Sequence, residues 1–456
     1  MIVVSHRGPI SFTREPDGSF SSRRGAGGVV SALGPLLEAR DDVTWIAAAI
    51  GEGDRAAVEA GAAAAPPFAL DLVAPDPRLH RLHYDLVSNA TLWFLFHGLF
   101  DLPRRPRFDQ HFREAWNAYR AVNQVFADAI CADASGGEVV LVQDLHFALV
   151  PGMVRAARPD IRLAHFTHTP FCGSNEIRIL PDDVAHELLT SMAAAPAGFH
   201  TERWAANYRA CALEVLGDRP VGAFVSTFGP DPDALATTAT SAAAIDAGSR
   251  LDAEIGDRKL VFRTDRIELS KNIARGFLAF DRFLELHPEW HGRVVFAAFV
   301  YPSREGLAEY LAYRQEVEQT ARRVNERWAT DDWQPVWLDT ADDYPRSVAG
   351  LQRADVLLVN PLRDGLNLVA KEGPLLSTRD VVVCLSRGAG AFDELGDSVL
   401  PVHAYDIEQT AEALHTALTM EPTERASRAA ELRRLAAART TAQWLDDQLD
   451  QAEPAP

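Results

Sequence analysis

The sequence predicts an α/β protein of two Rossmann-like domains whose parallel sheets face a central cleft. Three observations carry that expectation. Apolar, β-rich runs alternate with helical stretches along nearly all 456 residues, the βαβα order that gives parallel sheets covered by helices on both faces. The length exceeds one typical domain. The stretch 229–256, rich in Ala, Thr, Asp and Pro, breaks the alternation without a strong strand of its own and reads as a domain junction.

In the first domain, 1–228, strands are expected at 2–4, 43–48, 139–142, 161–167 and 221–226, with helices at 29–40, 108–132 and 181–193. In the second, 229–424, strands are expected at 260–263, 294–300, 336–338, 355–359 and 381–385, with helices at 271–286 and 304–328. The Ala/Arg/Glu/Leu-rich tail 422–449 reads as helical, and a C-terminal helix of about 425–456 is expected to pack back on the first domain. No internal repeat is visible.

Charge and composition narrow the function. A net charge of −19 argues against a nucleic-acid or anionic-membrane partner, since neither tolerates an acidic surface without a basic patch. No apolar run approaches the ~18 residues of a membrane span, and the opening strand runs straight into His6 and Arg7 rather than into a secretion signal. Cys131, Cys172, Cys211 and Cys384 are scattered without metal spacing, which fits a reduced, cytoplasmic protein without structural zinc. An anionic substrate would then require isolated Arg and Lys at strand ends.

Such residues occur. The apolar run 356–359 precedes a charged turn, 360–367, and a helix is expected from Leu368. Ligands bind at that end of an α/β sheet, where helix amides and the positive end of the dipole face the crevice. Asp364 suits a sugar hydroxyl, the Leu368 and Val369 amides a phosphate, and Glu372 a ribose; a turn without a ligand is the alternative. Ser5-His6-Arg7 follows the first strand, and Arg23 to Gly28 opens the next helix, either as a phosphate turn or as a loop needing positive φ. Asp144, after 139–142, is a binding group or a helix N-cap, and these need not exclude each other. His168 ends the strand 161–167 in a structural or a catalytic role. Arg266 and Lys271 after 260–263 suit a diphosphate, or else a solvated helix start, and Arg304 adds a third cation. The small-residue turn 386–391 also allows close backbone approach.

Taken in order, these blocks resemble the trehalose-6-phosphate synthases, retaining glycosyltransferases of the GT-B fold, from Ile2 to about residue 420. Val4-Ser5-His6-Arg7 with Gly27-Gly28 matches that family's phosphate loop. Tyr84 to Trp93 with Phe96-His97 matches its acceptor segment, and Asp144-Leu145-His146-Phe147, His168-Thr169-Pro170-Phe171 and Gly198 to Thr201 match later blocks. Arg266 to Lys271 stands for Arg-Leu-Asp-Tyr-Ser-Lys, and Pro361 to Glu372 matches almost residue for residue.

The resemblance implies glucose transfer from UDP- or GDP-glucose to glucose 6-phosphate. Arg7, Tyr84, Trp93, Asp144 and Arg304 would bind the acceptor, and Arg266 and Lys271 the donor diphosphate. Gly27, Gly28, Gly365, Asn367, Leu368, Val369, Ala370, Lys371 and Glu372 would hold the rest of the donor, with Asp364 on its glucose and His168 by the scissile carbon. No cofactor or metal is implied beyond the nucleotide-sugar co-substrate, and the partners are small molecules, with a homo-oligomer open. Leu145 and Leu269 replace tyrosines of the usual motifs and Asn272 a glycine. These departures keep two alternatives in view, a pseudo-glycosyltransferase coupling a cyclitol nucleotide to an amino-cyclitol phosphate and a catalytically silent sugar-phosphate sensor. A nicotinamide-dependent dehydrogenase lacks its GxGxxG here.

Overall fold

The structure is a computed structural model that describes residues 1–25, 28–38, 40, 42–64, 69–100 and 106–454. It divides into two compact units, Met1–Phe228 joined by the chain from Thr441 on, and Gly229–Thr440.

Among the described residues, the first unit is built on a seven-stranded sheet of β1 (Ile2–Ser5), β4 (Thr44–Ala48), β5 (Ala69–Val73), β6 (Val139–Gln143), β7 (Arg162–Thr167), β8 (Ala197–Phe199) and β9 (Ala223–Val225). Their order is β5-β4-β1-β6-β7-β8-β9, every pair parallel. Strands such as Ile2-Val3-Val4-Ser5 are buried along their whole length because helices cover both faces. Val122, Phe126 and Ile130 project at four-residue spacing from the helix Gln110–Asp133 onto Ile2, Val4, Val140 and Val142.

In the second unit, β10 (Lys259–Ile267), β11 (Val294–Pro302), β12 (Val336–Asp339), β13 (Val356–Val359), β14 (Val382–Ser386) and β15 (Leu400–Val402) form a parallel sheet in the order β12-β11-β10-β13-β14-β15. The helix Ile273–Leu286 buries Phe277, Phe280, Phe283 and Leu284 against Phe296 and its neighbours.

The departures from expectation have local causes. Residues 10–24, where no strand is expected, form an antiparallel hairpin, β2 (Ile10–Arg14) with β3 (Phe20–Arg24), so Arg23 and Arg24 end a strand and do not open the helix. The strands β5, β8 and β15 were not foreseen; β8 is only Ala-Gly-Phe, too short to show a period. The junction holds two helices, Pro232–Ala239 and Ala242–Ile255, started by Asp231 and Ser241 as side-chain caps. The tail is two helices instead of one. Pro422–Ala436 stays with the second unit, and only Thr441–Gln451 joins the first. At the break, Arg439 O accepts from Gly229 N–H (2.7 Å), and a Cβ on Gly229 would lie 2.2 Å from Ala436 O. Only glycine lets those two chain segments approach so closely. Among the described residues, no helix is long and apolar enough to cross a membrane.

Candidate active site

In the first unit the candidate residues lie at the carboxyl ends of three adjacent strands, β1, β6 and β7. Ser5 turns the chain after β1: its hydroxyl donates to Arg7 O (2.6 Å) and accepts from the Trp45 indole (2.8 Å). Arg7 is exposed, and no carboxylate pairs with it among the described residues. Tyr84 rises from an uncommon π-helical segment, Leu82–Trp93, and stacks on His6 with ring centroids 4.5 Å apart. His6 stacks in turn on His146 (4.8 Å), and His146 Nδ1 lies 3.7 Å from Asp144 Oδ2.

Asp144 has φ 70° and caps no helix, so the expected N-cap role is absent. Burial disfavours its charge, but His146, His168 and the Leu145 and His168 amides outweigh this and hold its carboxyl below the usual range. His80 and His83, with His6, complete a close imidazole cluster; His6 Nε2 is 3.0 Å from His80 Nε2. Burial first, then neighbouring cations and imidazoles, push His6 well down and His80 to about 4.

His168 stands at the end of β7 with both ring nitrogens partnered. Its Nε2 donates to Gln143 Oε1 (3.0 Å), its Nδ1 pairs with His200 Nε2 (3.2 Å), and burial lowers its pKa to about 4. Both ring nitrogens are engaged, so this neutral ring orders the site and does not shuttle a proton. Trp93 also differs from an open pocket wall. Only 3% exposed, it stacks on His97 (3.9 Å) within the core.

In the second unit the expected cations are held by carboxylates at strand ends. Lys271 Nζ lies 2.6 Å from Asp364 Oδ2 and 3.7 Å from Asp265 Oδ1. Burial works against the Lys271 charge, but Asp364, Asp265 and Glu268 overcome it and raise its pKa. Arg263, 1% exposed, braces this corner by donating to Asp265 Oδ2 (2.7 Å), Asn360 Oδ1 (3.0 Å) and Lys271 O (3.0 Å). Glu268, 2% exposed, places Oε1 3.1 Å from an Arg266 nitrogen and 2.8 Å from an Arg304 nitrogen.

The loop after β13 carries Asp364. The Asn367 amide donates to Asp364 Oδ2 (3.0 Å). Ala370, Lys371 and Glu372 spend their amides inside the turn, on Asn367 Oδ1 and Leu368 O. The Leu368 and Val369 amides, at the start of the helix Val369–Leu376, meet no acceptor among the described residues. Gly365 lies between Asp364 and Asn367 in the same loop, and Gly28 starts the helix Gly28–Glu38 with open space where a Cβ would stand. Glu372 is pushed up to about 7 by burial, with Lys271 pulling the other way.

Two expectations change here. Lys371 is fully buried and paired with Glu394 (2.8 Å), so its ammonium supports the fold and does not face a ligand. The turn 386–391 makes its close approach to protein, since a Cβ on Gly388 would lie 2.1 Å from Leu362 O and one on Gly390 2.0 Å from Gly365 O. Gly27 lies outside the described residues. Asn272 has φ 60°, a left-handed conformation that asparagine tolerates best among residues with a Cβ. Asp144 (φ 70°), Arg304 (φ 48°) and Asn367 (φ 78°) also have positive φ. Such strain gathers where side chains must be aimed. His6, His146, His200, Asp265 and Glu268 were not singled out from the sequence as functional; only their places inside the matched motifs could have pointed to them.

Two α/β units on parallel sheets, with cations and acids at strand ends, define a two-domain glycosyltransferase of the GT-B class. The model of glycosyltransferase family 20 matches residues 1–454, and the chain belongs to that family. Among similar proteins, the UDP-forming α,α-trehalose-phosphate synthase of Schizosaccharomyces pombe is 32% identical over 93% of this chain and 85% of its own. The bifunctional trehalose-6-phosphate synthase/phosphatase of Thermoproteus tenax is 31% identical over 98% of this chain, which spans 62% of that longer protein. A UDP-forming synthase from Burkholderia xenovorans, solved in complex with glucose-6-phosphate, superposes with a TM-score of 0.84 at 27% identity, covering 98% of this chain and 99% of that one. An E. coli structure bound with UDP-2-fluoro glucose gives 0.83 at 26% identity, covering 98% of each chain.

Proposed function

We propose that this chain transfers glucose from a nucleoside diphosphate glucose to glucose 6-phosphate with retention, giving α,α-trehalose 6-phosphate. The observation that carries the reading is the loop after β13, where Lys271, Asp364 and Asn367 are tied together, in a chain matched to glycosyltransferase family 20 over 1–454. The relatives described as UDP-forming favour UDP-glucose, with GDP-glucose the other candidate donor.

In the proposed reaction the bond from the donor's anomeric carbon to its phosphate oxygen breaks. The acceptor's anomeric oxygen bonds to that carbon on the same face, and its proton passes to the departing phosphate. The protein supplies placement and charge. Arg266 and Lys271 meet the leaving diphosphate, Asp364 the donor glucose, Glu372 the ribose, and the Leu368 and Val369 amides the phosphates. Arg7, Tyr84, Asp144 and Arg304 hold the acceptor. No protein base is required, which accords with a His168 whose nitrogens are both occupied. The reaction is proposed to run without a metal, and a cytoplasmic location is supported by four free cysteines.

The test is nucleotide release by the purified protein with UDP-, GDP- and ADP-glucose, each with and without glucose 6-phosphate, the product identified by mass. Acceptor-dependent release with a phosphorylated glucose disaccharide is the expected result. Silence with all three donors would overturn the assignment.

A further inference from the structure

The helix Thr441–Gln451 brings a buried amide to the first unit, and nothing in the proposed reaction uses it directly. Gln448 is fully buried, and its Oε1 accepts from Gln143 Nε2 (2.9 Å). That bond decides which way the Gln143 amide faces: with its NH2 turned to Gln448, its oxygen is left for His168. The His168 Nε2–H donates to that oxygen (3.0 Å), so Nδ1 keeps its lone pair and accepts from His200 Nε2 (3.2 Å). Reversing either amide would set donor against donor, or acceptor against acceptor, at buried side chains. Trp444, one turn earlier on the same helix, packs 5.6 Å from the His168 ring and 5.2 Å from Phe166. The helix is itself tied down. Ser226 donates to Asp447 (2.6 Å), and Arg162 and Arg155 donate to Ala452 O and Glu453 O.

We propose that Gln448 is a positioning residue which, through Gln143, fixes the Nε2–H tautomer and the orientation of His168. The inference rests on the function proposed above for its relevance to glucose transfer. A fixed, neutral imidazole beside Asp144 keeps the His168 amide on that carboxylate (3.4 Å) and holds this strand end in one geometry. Active sites lose rate steeply when a supporting shell loosens.

The test labels histidine nitrogens with 15N and reads the His168 tautomer by long-range proton–nitrogen correlation, beside steady-state kinetics. The wild-type ring should be a single Nε2–H species. In Gln448→Met the Gln143 amide is free to turn, so both tautomers should appear and kcat should fall roughly tenfold, with either KM little changed. Gln143→Glu accepts from His168 without help from Gln448, whose amide turns to offer its NH2 to the new carboxylate. It should retain the Nε2–H tautomer and raise the pH at which His168 protonates, and adding Gln448→Met should then change neither tautomer nor kcat further. A single unchanged tautomer in Gln448→Met would overturn the proposal, as would a mixed tautomer with wild-type kcat. If Gln448→Met did not fold, a further loss of kcat or of the tautomer on adding it to Gln143→Glu would overturn the proposal equally. A wild-type chain silent with every donor would count against the glucose-transfer reading alone, because the tautomers would still decide the relay.

Discussion

Lys271 and Asp364 form an ion pair of 2.6 Å, joining the cation proposed for the leaving diphosphate to the acid proposed for the donor sugar. Asp364 helps keep Lys271 charged in a largely buried corner, where removing one partner strands the other. Asp364→Asn should therefore lose more than a sugar contact. Its kcat should fall by on the order of a hundredfold or more, together with weaker nucleotide-sugar binding, because Lys271 loses its nearest carboxylate. Turnover within a few-fold of wild type, measured with saturating donor, would refute the pairing's importance.

Glu268 is the shared anchor of Arg266 and Arg304. Arg266→Ala alone should reduce kcat on the order of a hundredfold, through lost stabilisation of the leaving group. Arg304→Ala alone should chiefly raise KM for the phosphorylated acceptor. Glu268→Gln should do both at once, more mildly, since both guanidinium groups lose an ionic anchor. Steady-state kinetics with each substrate varied in turn separate the three patterns.

Glu372, proposed to meet the donor ribose, should give donor binding a pH dependence. Its carboxyl is raised to about 7, so ionisation, and with it the better acceptor for a ribose hydroxyl, grows as pH rises through that value. Donor KM should fall between pH 6 and 8, about one unit either side of that value, and Glu372→Gln should flatten the profile. A donor KM equally pH-dependent in the variant would assign the titration to another group.

The imidazole cluster of the first unit should make it acid-sensitive. His6 is held well below its ordinary value, and His80 and His83 lie near 4 and 3, so the native state resists protons that the unfolded chain accepts near 6.5. A depressed imidazole adds stability that is whole above 6.5 and is lost as pH falls towards the native values. Thermal melts should show the first unit losing on the order of a few kcal/mol between pH 7 and 4.5. Equal midpoints across that range would contradict the neutral cluster.

Much of this could be read in advance because it lies on short stretches of chain. Strands such as Val356–Val359 announce themselves as unbroken apolar runs, and a charged turn directly after one marks a site whatever packs nearby. Arg266, Lys271 and Asp364 stand out as candidates in that way. Pairings between distant segments leave no such trace. The sequence shows Lys371 as one more charge beside the nucleotide turn, and only folding reveals that Glu394 has already claimed it. It likewise places His6 and His80 74 positions apart, while the fold sets them ring to ring. The break at 437–440, which turns one expected helix into two with different loyalties, depends on room beside Gly229 that no periodicity encodes.

That divided tail has a consequence for biosynthesis. Gln143 and Gln448 are 305 positions apart, and the whole second unit is synthesised between them. The later-made unit is the one with an uninterrupted chain, free to fold as it emerges, while the earlier-made unit must wait on the ribosome with its last helix missing. The first unit is thus begun before the second and completed after it.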